Sequence, residues 1–468
     1  MTAPRIKRSS TPPHSRLIAL NILGEVEQDR NTLDHIVETM FRRIGDIPQR
    51  EKNLAFTLVY GVQRHRGRLD WILDHYSRTQ VDKLDPVIRN ILRIGLFQSI
   101  YLTRIPTSAA VHTSVELAKS LNKPWLAKFV NAVLRSAIRN HAALQLPDPE
   151  TDPISAISVE TSMPPWLIER WISRFGLSQT RSLCSSLNHI PPLTLRINTL
   201  KTTRSDFLAH AADAGSPMET TAFAPDGVRM DQPSEPVSAM AGFQEGLFQV
   251  QDEAAQLVTL LLDPQPGETI LDACAGMGGK TAHIAQRMND TGNIAAADIA
   301  SDKLDKIHPE MQRLGISIIE TRMLDLTRPF NAAWQTSFDR VLVDAPCSGL
   351  GVLRRNPDIK WRSSPNRIVH CHTRQIEFLD RVSSLVKPSG VLVYAVCSME
   401  PEENESVVAA FLETHPDFSI ESSPVGLSPS IRSLMSPEGY LRTFPHLHDM
   451  DGFFAVRFRK CDSHQEAS

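Results

Sequence analysis

The sequence predicts an α/β fold: a domain with a mostly parallel sheet, preceded by an all-α domain and a small α/β segment. Three observations carry that expectation. Residues 14–140 place apolar side chains at a spacing of about 3.6, with few alternating runs. From residue 249 onward, short apolar runs alternate with helical patterns, which means a parallel sheet covered on both faces. A stretch rich in proline and acid lies between the two regions. The chain has 468 residues, so more than one domain is expected.

The helical region begins with "SRLIALNILGEVEQ", where Leu17, Leu20, Ile22 and Val26 fall near one face. "DPVIRNILRIGLFQSIYL", "AVHTSVELAKSL" and "WLAKFVNAVLRSAIR" repeat the spacing, as expected of a helical bundle over 1–143. "LQLPDPETDPISAISVETSMPPW" holds five prolines and reads as an extended linker over 144–163. "PPWLIERWISRFG" restarts a helix and "PLTLRINTLK" alternates as a strand, so 164–248 reads as the small α/β segment. In 249–460 the strands are "ETILDAC", "GNIAAADI", "SIIETRML", "FDRVLVDAP", "SGVLVYAVC" and "DGFFAVRFRK", with helical patterns between most of them. Residues 461–468 read as a frayed tail.

Charge is uneven. Residues 1–140 carry 22 Lys+Arg against 12 Asp+Glu, a balance of +10, and the remainder carries 28 against 41, a balance of −13. An arginine-rich segment with Arg42, Arg43, Arg64, Arg66 and Arg68 suits a polyanion such as RNA. The N-terminus "MTAPRIKRSSTPPHS" has no apolar core, so no secretory signal is expected. No apolar run approaches the ~20 residues of a membrane span. A reducing, cytoplasmic location is the expectation, with free thiols and no membrane partner. The six cysteines include no C-x-x-C pair. In "HCH" (370–372) adjacent helical residues point apart, so no metal is expected. A monomer is the default expectation.

"LDACAGMGGKTAHIA" joins the first strand of the sheet to its helix. A Walker A loop would need glycine at Cys274, and a dinucleotide fingerprint would need glycine at Thr281, so both fail at a named position. S-adenosyl-L-methionine has no pyrophosphate and does not need the full phosphate cradle. Cys274, Ala275, Gly276, Met277, Gly278, Gly279 and Lys280 are then the candidate cofactor loop. Asp298 follows Gly278 by 20 residues, near the spacing of a ribose-binding acid. Asp325, ending the third strand, and Asp344, ending the fourth, complete the cofactor candidates.

The chain twice ends an apolar run near a thiol: "VDAPCSGLG" at Cys347 and "GVLVYAVCSMEPEENE" at Cys397. Ligands bind at the carboxyl ends of the strands of an open parallel sheet, so the two thiols should be neighbours there. A methyl donor beside a thiol nucleophile suggests an unreactive carbon acceptor, such as carbon 5 of cytosine. Thiolate addition at carbon 6 would activate carbon 5. A second thiol would help remove the carbon-5 proton and release the adduct. Asp344 could hydrogen-bond the exocyclic amine or ring nitrogen. Spacing alone does not decide which cysteine attacks.

"DAPCSGLG", "RRNPDIKW" and "YAVCSMEPEENE" resemble the RNA cytosine-5 methyltransferases. "IPTSAAVHTSVELAK" and "FVNAVLR" resemble the NusB-like RNA-binding domain, a combination seen in the bacterial Fmu/Sun/RsmB-type 16S rRNA enzymes. "LRINTLK", "GLFQVQDEAAQLV" and "DGFFAVRF" are also similar to family segments. Met277 stands where the family has proline, and Val396 where it has threonine. The resemblance implies a Rossmann-like methyltransferase domain with a seven-stranded sheet, S-adenosyl-L-methionine as cofactor and 16S ribosomal RNA as partner. It also implies Cys397 as nucleophile and Cys347 as the releasing thiol. The rivals are a tRNA or other RNA cytosine-5 methyltransferase, a non-catalytic RNA-binding assembly factor, and a dehydrogenase on a Rossmann sheet.

Overall fold

The computed structural model describes residues 15–28, 31–121, 124–231, 233, 235–330, 334 and 337–462. The basic N-terminal stretch before Ser15 and most of the expected tail lie outside the described residues. The chain forms two compact units. One runs to His189 and includes Leu353–Arg362; the other holds Ile190–Val352 and the chain from Ser363 onward.

The first unit is helical: α1 (Ser15–Val26), α2 (Leu33–Ile44), α3 (Gln49–Tyr76), α4 (Pro86–Tyr101), α5 (Thr107–Lys119), α6 (Pro124–Asn140), α7 (Pro153–Thr161) and α8 (Pro165–Ser186). Local chemistry sets several starts. Asp85 caps α4 by accepting from the Val87 N–H, and Pro86 sits in its first turn, where a missing N–H costs nothing. Ile18, Ile22, Leu58, Val62, Ile91 and Leu134 are buried in one core. Truncating Leu134 to alanine there should cost about 2–5 kcal/mol.

The expectation of an extended linker over 144–163 is corrected. Residues 153–161 form α7, because Asp152 accepts from the Ser155 N–H and Pro153 is preorganised for a first turn. The helix packs on α3 and α8. Gly176, at φ 77°, breaks α8 midway. The arginine reading also changes. Arg64 is buried and donates to the Arg354 carbonyl, and Arg66 stacks over Trp361, 5.2 Å from its ring centre. Lys360 Nζ donates to the Arg64 carbonyl at 2.7 Å and Trp361 Nε1 to the Gln63 carbonyl at 2.8 Å. Residues 353–362 thus pack within the first compact unit.

The second unit opens with a small antiparallel sheet. Its elements are β1 (Leu193–Ile197), α9 (Arg204–Asp213), β2 (Glu219–Thr220), β3 (Gly227–Met230) and β4 (Phe248–Val250), in strand order β2-β3-β1-β4. The expected boundary at 248 cuts through β4, whose Phe248–Val250 pairs with Leu195–Ile197 of β1. Phe207 of α9 and Phe248 meet edge-on in its core.

The large sheet follows: α10 (Glu253–Leu262), β5 (Thr269–Asp272), α11 (Gly279–Arg287), β6 (Asn293–Asp298), α12 (Ser301–Leu314), β7 (Ile319–Met323) and β8 (Phe338–Asp344). After α13 (Ile359–Arg362), which lies in the helical unit, come α14 (Pro365–Ser383), β9 (Val386–Val396), α15 (Glu405–Thr414), β10 (Phe418–Ile420), α16 (Pro429–Arg432), β11 (Tyr440–Arg442), α17 (Pro445–His448) and β12 (Phe454–Lys460). The strand order is β10-β12-β9-β8-β5-β6-β7, with β11 paired to β12. That makes eight strands rather than the expected seven. β5 to β9 are parallel, and β10, β11 and β12 pair antiparallel. Strands β5, β6, β8 and β9 are buried on both faces, which explains their continuous apolar runs. No helix among the described residues is long and apolar enough to cross a membrane.

Candidate active site

Strand order places the candidate residues along one edge. The carboxyl ends of β7, β6, β5, β8 and β9 lie side by side, each about 4.8 Å from the next. Asp325, Asp298, the 274–280 loop, Asp344 with Cys347, and Cys397 therefore succeed one another across the sheet. This edge, where a topological switch occurs between β5 and β8, is where open α/β sheets bind ligands.

The loop after β5 is shaped by glycine. Gly276 and Gly278 have φ of 57° and 82°, a backbone region costly for residues with a Cβ. Gly278 caps α11, so the unpaired N–H groups of that helix face the loop. Asp298 orders it from the next strand: one carboxylate oxygen accepts from the Gly276 N–H at 3.0 Å, the other from the Ala300 N–H at 2.9 Å. Three large apolar side chains, Met277, Ile299 and Met323, are exposed beside these strand ends. Met323 is the register partner of Asp298. Glycines that admit close approach, an acid and exposed apolar side chains together fit the adenosyl group of S-adenosyl-L-methionine. Asp325 is engaged locally, accepting from the Thr327 N–H at 3.0 Å and its hydroxyl at 2.6 Å; those bonds hold its pKa below the usual carboxylate range.

Cys274 lies in the loop after β5. Burial first, and the charges of Asp272, Asp344 and Asp298 next, push it well above the ordinary thiol range. Lys280 crosses from α11 to β8, its Nζ 2.5 Å from Asp344 Oδ2 and 5.3 Å from the Phe453 ring centre. Burial alone would lower the Lys280 pKa, but the charge and hydrogen bond of Asp344, and then Cys397, hold it above its ordinary value. Asp272 beneath them is pushed up to about 7 by burial, against the Thr281 hydroxyl that donates to it at 2.7 Å.

The two thiols meet: Cys347 Sγ lies 3.3 Å from Cys397 Sγ. Hydrogen bonding to Cys397 first, and burial second, raise the Cys347 thiol well above its ordinary value. Their loops are joined behind them. The Gly351 N–H donates to the Cys397 carbonyl at 3.0 Å, and a Cβ on Gly351 would lie 1.8 Å from the Gly452 carbonyl oxygen, so only glycine fits. Ser348 and Ser398, each following a thiol, both donate their hydroxyls to Glu403, which is fully buried. Sequence reasoning missed Glu403 and its partners Ser348, Ser398 and Gln375. The acid-rich "PEENE" was visible, but not which acid turns inward. Among the described residues, no group of three or more His, Cys, Asp or Glu, Cys371 and its flanking histidines included, is arranged so that it could hold a metal ion.

Residues 259–459 match the family model described as 16S rRNA methyltransferase RsmB/F. Residues 13–139 match the NusB family, and 163–237 match a ferredoxin-like domain of RsmF/B-like methyltransferases. A probable ribosomal RNA small subunit methyltransferase B from Synechocystis is 37% identical, over 95% of this chain and 99% of that protein. One of the same description from Bacillus subtilis is 35% identical, over 95% and 98%. The crystal structure of PH0851 superposes with a TM-score of 0.79 at 25% identity, covering 97% of this chain and 100% of that one.

Proposed function

The chain belongs to the RsmB/F family of 16S rRNA methyltransferases, and on that premise we propose that it methylates carbon 5 of a cytosine in small-subunit rRNA through a transient bond between Cys397 and carbon 6. The observation that carries this reading is the 3.3 Å separation of the Cys347 and Cys397 sulfurs at adjacent strand ends. A methyltransferase acting on nitrogen or oxygen needs no thiol nucleophile, and still less a pair.

The 274–280 loop and Asp298 would hold S-adenosyl-L-methionine, which when bound would supply an electrophilic methyl group. The protein's own residues do the rest. Cys397 adds to carbon 6, which makes carbon 5 an enamine carbon able to attack. Cys347, whose proton is held by its bond to Cys397 first and by burial second, donates its S–H as a hydrogen bond to the attacking thiolate; once the Cys397–carbon 6 bond has formed, Cys347 loses that proton to solvent, and as a thiolate it takes the carbon-5 proton while the carbon–sulfur bond breaks and Cys397 leaves as thiolate. Asp344 accepts from the base's exocyclic amine while Lys280 fixes its other side. Asp325 lies four strands from Cys397, in line with a cofactor-side role.

The helical unit supplies RNA affinity through its exposed cations rather than through Arg64 or Arg66. Nucleoside mass spectrometry and bisulfite sequencing of 16S rRNA and tRNA, with and without the gene, test the whole reading. A 5-methylcytosine lost from 16S rRNA alone supports it. A lost methyl on another base atom, or loss only from tRNA, refutes it.

A further inference from the structure

Behind the two thiols lies a group that the proposed chemistry does not use. Glu403 Oε1 accepts from the Ser348 N–H at 2.7 Å and from Gln375 Nε2 at 3.2 Å, while Oε2 accepts both the Ser348 and Ser398 hydroxyls. These four donors suit a carboxylate, which only accepts. No cation is paired with it among the described residues. Desolvating a carboxylate with only neutral donors is costly, so the arrangement serves more than packing. Its backbone is fixed as well: the Tyr394 hydroxyl donates to the Glu403 carbonyl at 2.7 Å. Gln375 also donates to the Pro346 carbonyl at 3.1 Å, so the same network grips the residue before Cys347 and the residue after it. The Ser348 and Ser398 hydroxyl oxygens lie 3.3 Å apart, the same separation as the neighbouring sulfurs.

We infer that Glu403 is a positioning residue that sets the spacing of the Cys347–Cys397 pair, by binding the serine that follows each thiol. The inference deepens the two-thiol reading above and rests on it for its catalytic consequence. Its geometric content stands apart from that reading and can be measured separately. One carboxylate ties the loop after β8 to the loop after β9, so losing it frees each loop to move on its own.

The test uses the full-length protein and disulfide formation as a ruler. Diamide takes two electrons and two protons from the two thiols; the S–S bond forms and the diazene becomes a hydrazine. The rate of the Cys347–Cys397 cross-link is followed by peptide mass spectrometry in the wild type, in Glu403→Gln and in Ser348→Ala/Ser398→Ala. The double variant keeps the test available should Glu403→Gln fail to fold. Losing hydrogen bonds to a charged group should slow cross-linking about tenfold or more in both variants. Single-turnover methyl transfer should fall with it, while cofactor affinity stays near wild type. Unchanged cross-linking in folded variants overturns the positioning role, whatever happens to methylation. Slower cross-linking with unchanged methyl transfer upholds the positioning role and instead refutes the two-thiol reading.

Discussion

Lys280 Nζ and Asp344 Oδ2, 2.5 Å apart, join the cofactor helix to the strand that precedes Cys347. The two side chains are only 12% and 29% exposed, so solvent screens the pair weakly. Lys280→Met should therefore destabilise the protein by roughly 1.5–3 kcal/mol, the range for a hydrogen bond to a charged group. Lys280→Met combined with Asp344→Asn should cost less than the sum of the two singles, by urea unfolding. Because Asp344 raises the Lys280 pKa, the pair's contribution is complete below the ordinary lysine value of 10.5 and is lost as pH climbs through the raised one. Additive single variants would mean that the pair is not coupled.

Asp272 gives a pH dependence of opposite sense. Its carboxyl titrates near 7 in the folded protein against 3.8 when unfolded, because burial disfavours the charged form. Between those values the native state binds the extra proton, so stability falls as pH rises and levels off above about 7. Asp272→Asn removes that slope. Relative to wild type, the variant should gain roughly 4 kcal/mol between pH 4 and pH 7. A constant difference across that window would place the Asp272 titration elsewhere.

Asp298 orders the loop, and in the proposed reading it holds the ligand as well. Asp298→Ala should weaken S-adenosyl-L-methionine binding by roughly 1.5–3 kcal/mol by calorimetry. Asp298→Asn keeps one acceptor for the Gly276 or Ala300 N–H and should lose less. Wild-type affinity in folded Asp298→Ala would remove it from the cofactor site.

For the helical unit, Arg42 and Arg43 are the test. Both are well exposed, in surface pairs with Glu38 and Glu25 that water screens. Replacing both with alanine should weaken rRNA binding and flatten the plot of log affinity against log salt by about 0.7 per lost phosphate contact. An unchanged slope places the RNA surface elsewhere.

What could be read from the sequence followed periodicity. Alternating strand and helix patterns gave the sheet, and runs ending at Asp298, Asp344 and Cys397 located its carboxyl edge. Strands β10 and β11, three residues each, are too short to carry a period, so neither was legible beside the six longer strands. The proline-rich stretch misled because Asp152-Pro153 starts a helix as readily as it marks a linker. Arg64 counts as a surface charge in any tally, yet tertiary packing buries it against the 353–362 segment. Among Glu400, Glu402, Glu403 and Glu405, only the turn after β9 decides which one reaches Ser348 and Ser398. Sequence spacing does not encode that direction.

The division of labour between the thiols is the central claim. It is tested most directly by denaturing, reducing gel electrophoresis of each cysteine variant with labelled 16S rRNA and S-adenosyl-L-methionine. The account predicts that Cys397→Ala gives neither methylation nor an adduct. Cys347→Ala should attack and transfer the methyl group but stall at release, leaving a denaturant-resistant protein–RNA adduct that carries the new methyl. An adduct from Cys397→Ala and none from Cys347→Ala would contradict it and make Cys347 the nucleophile.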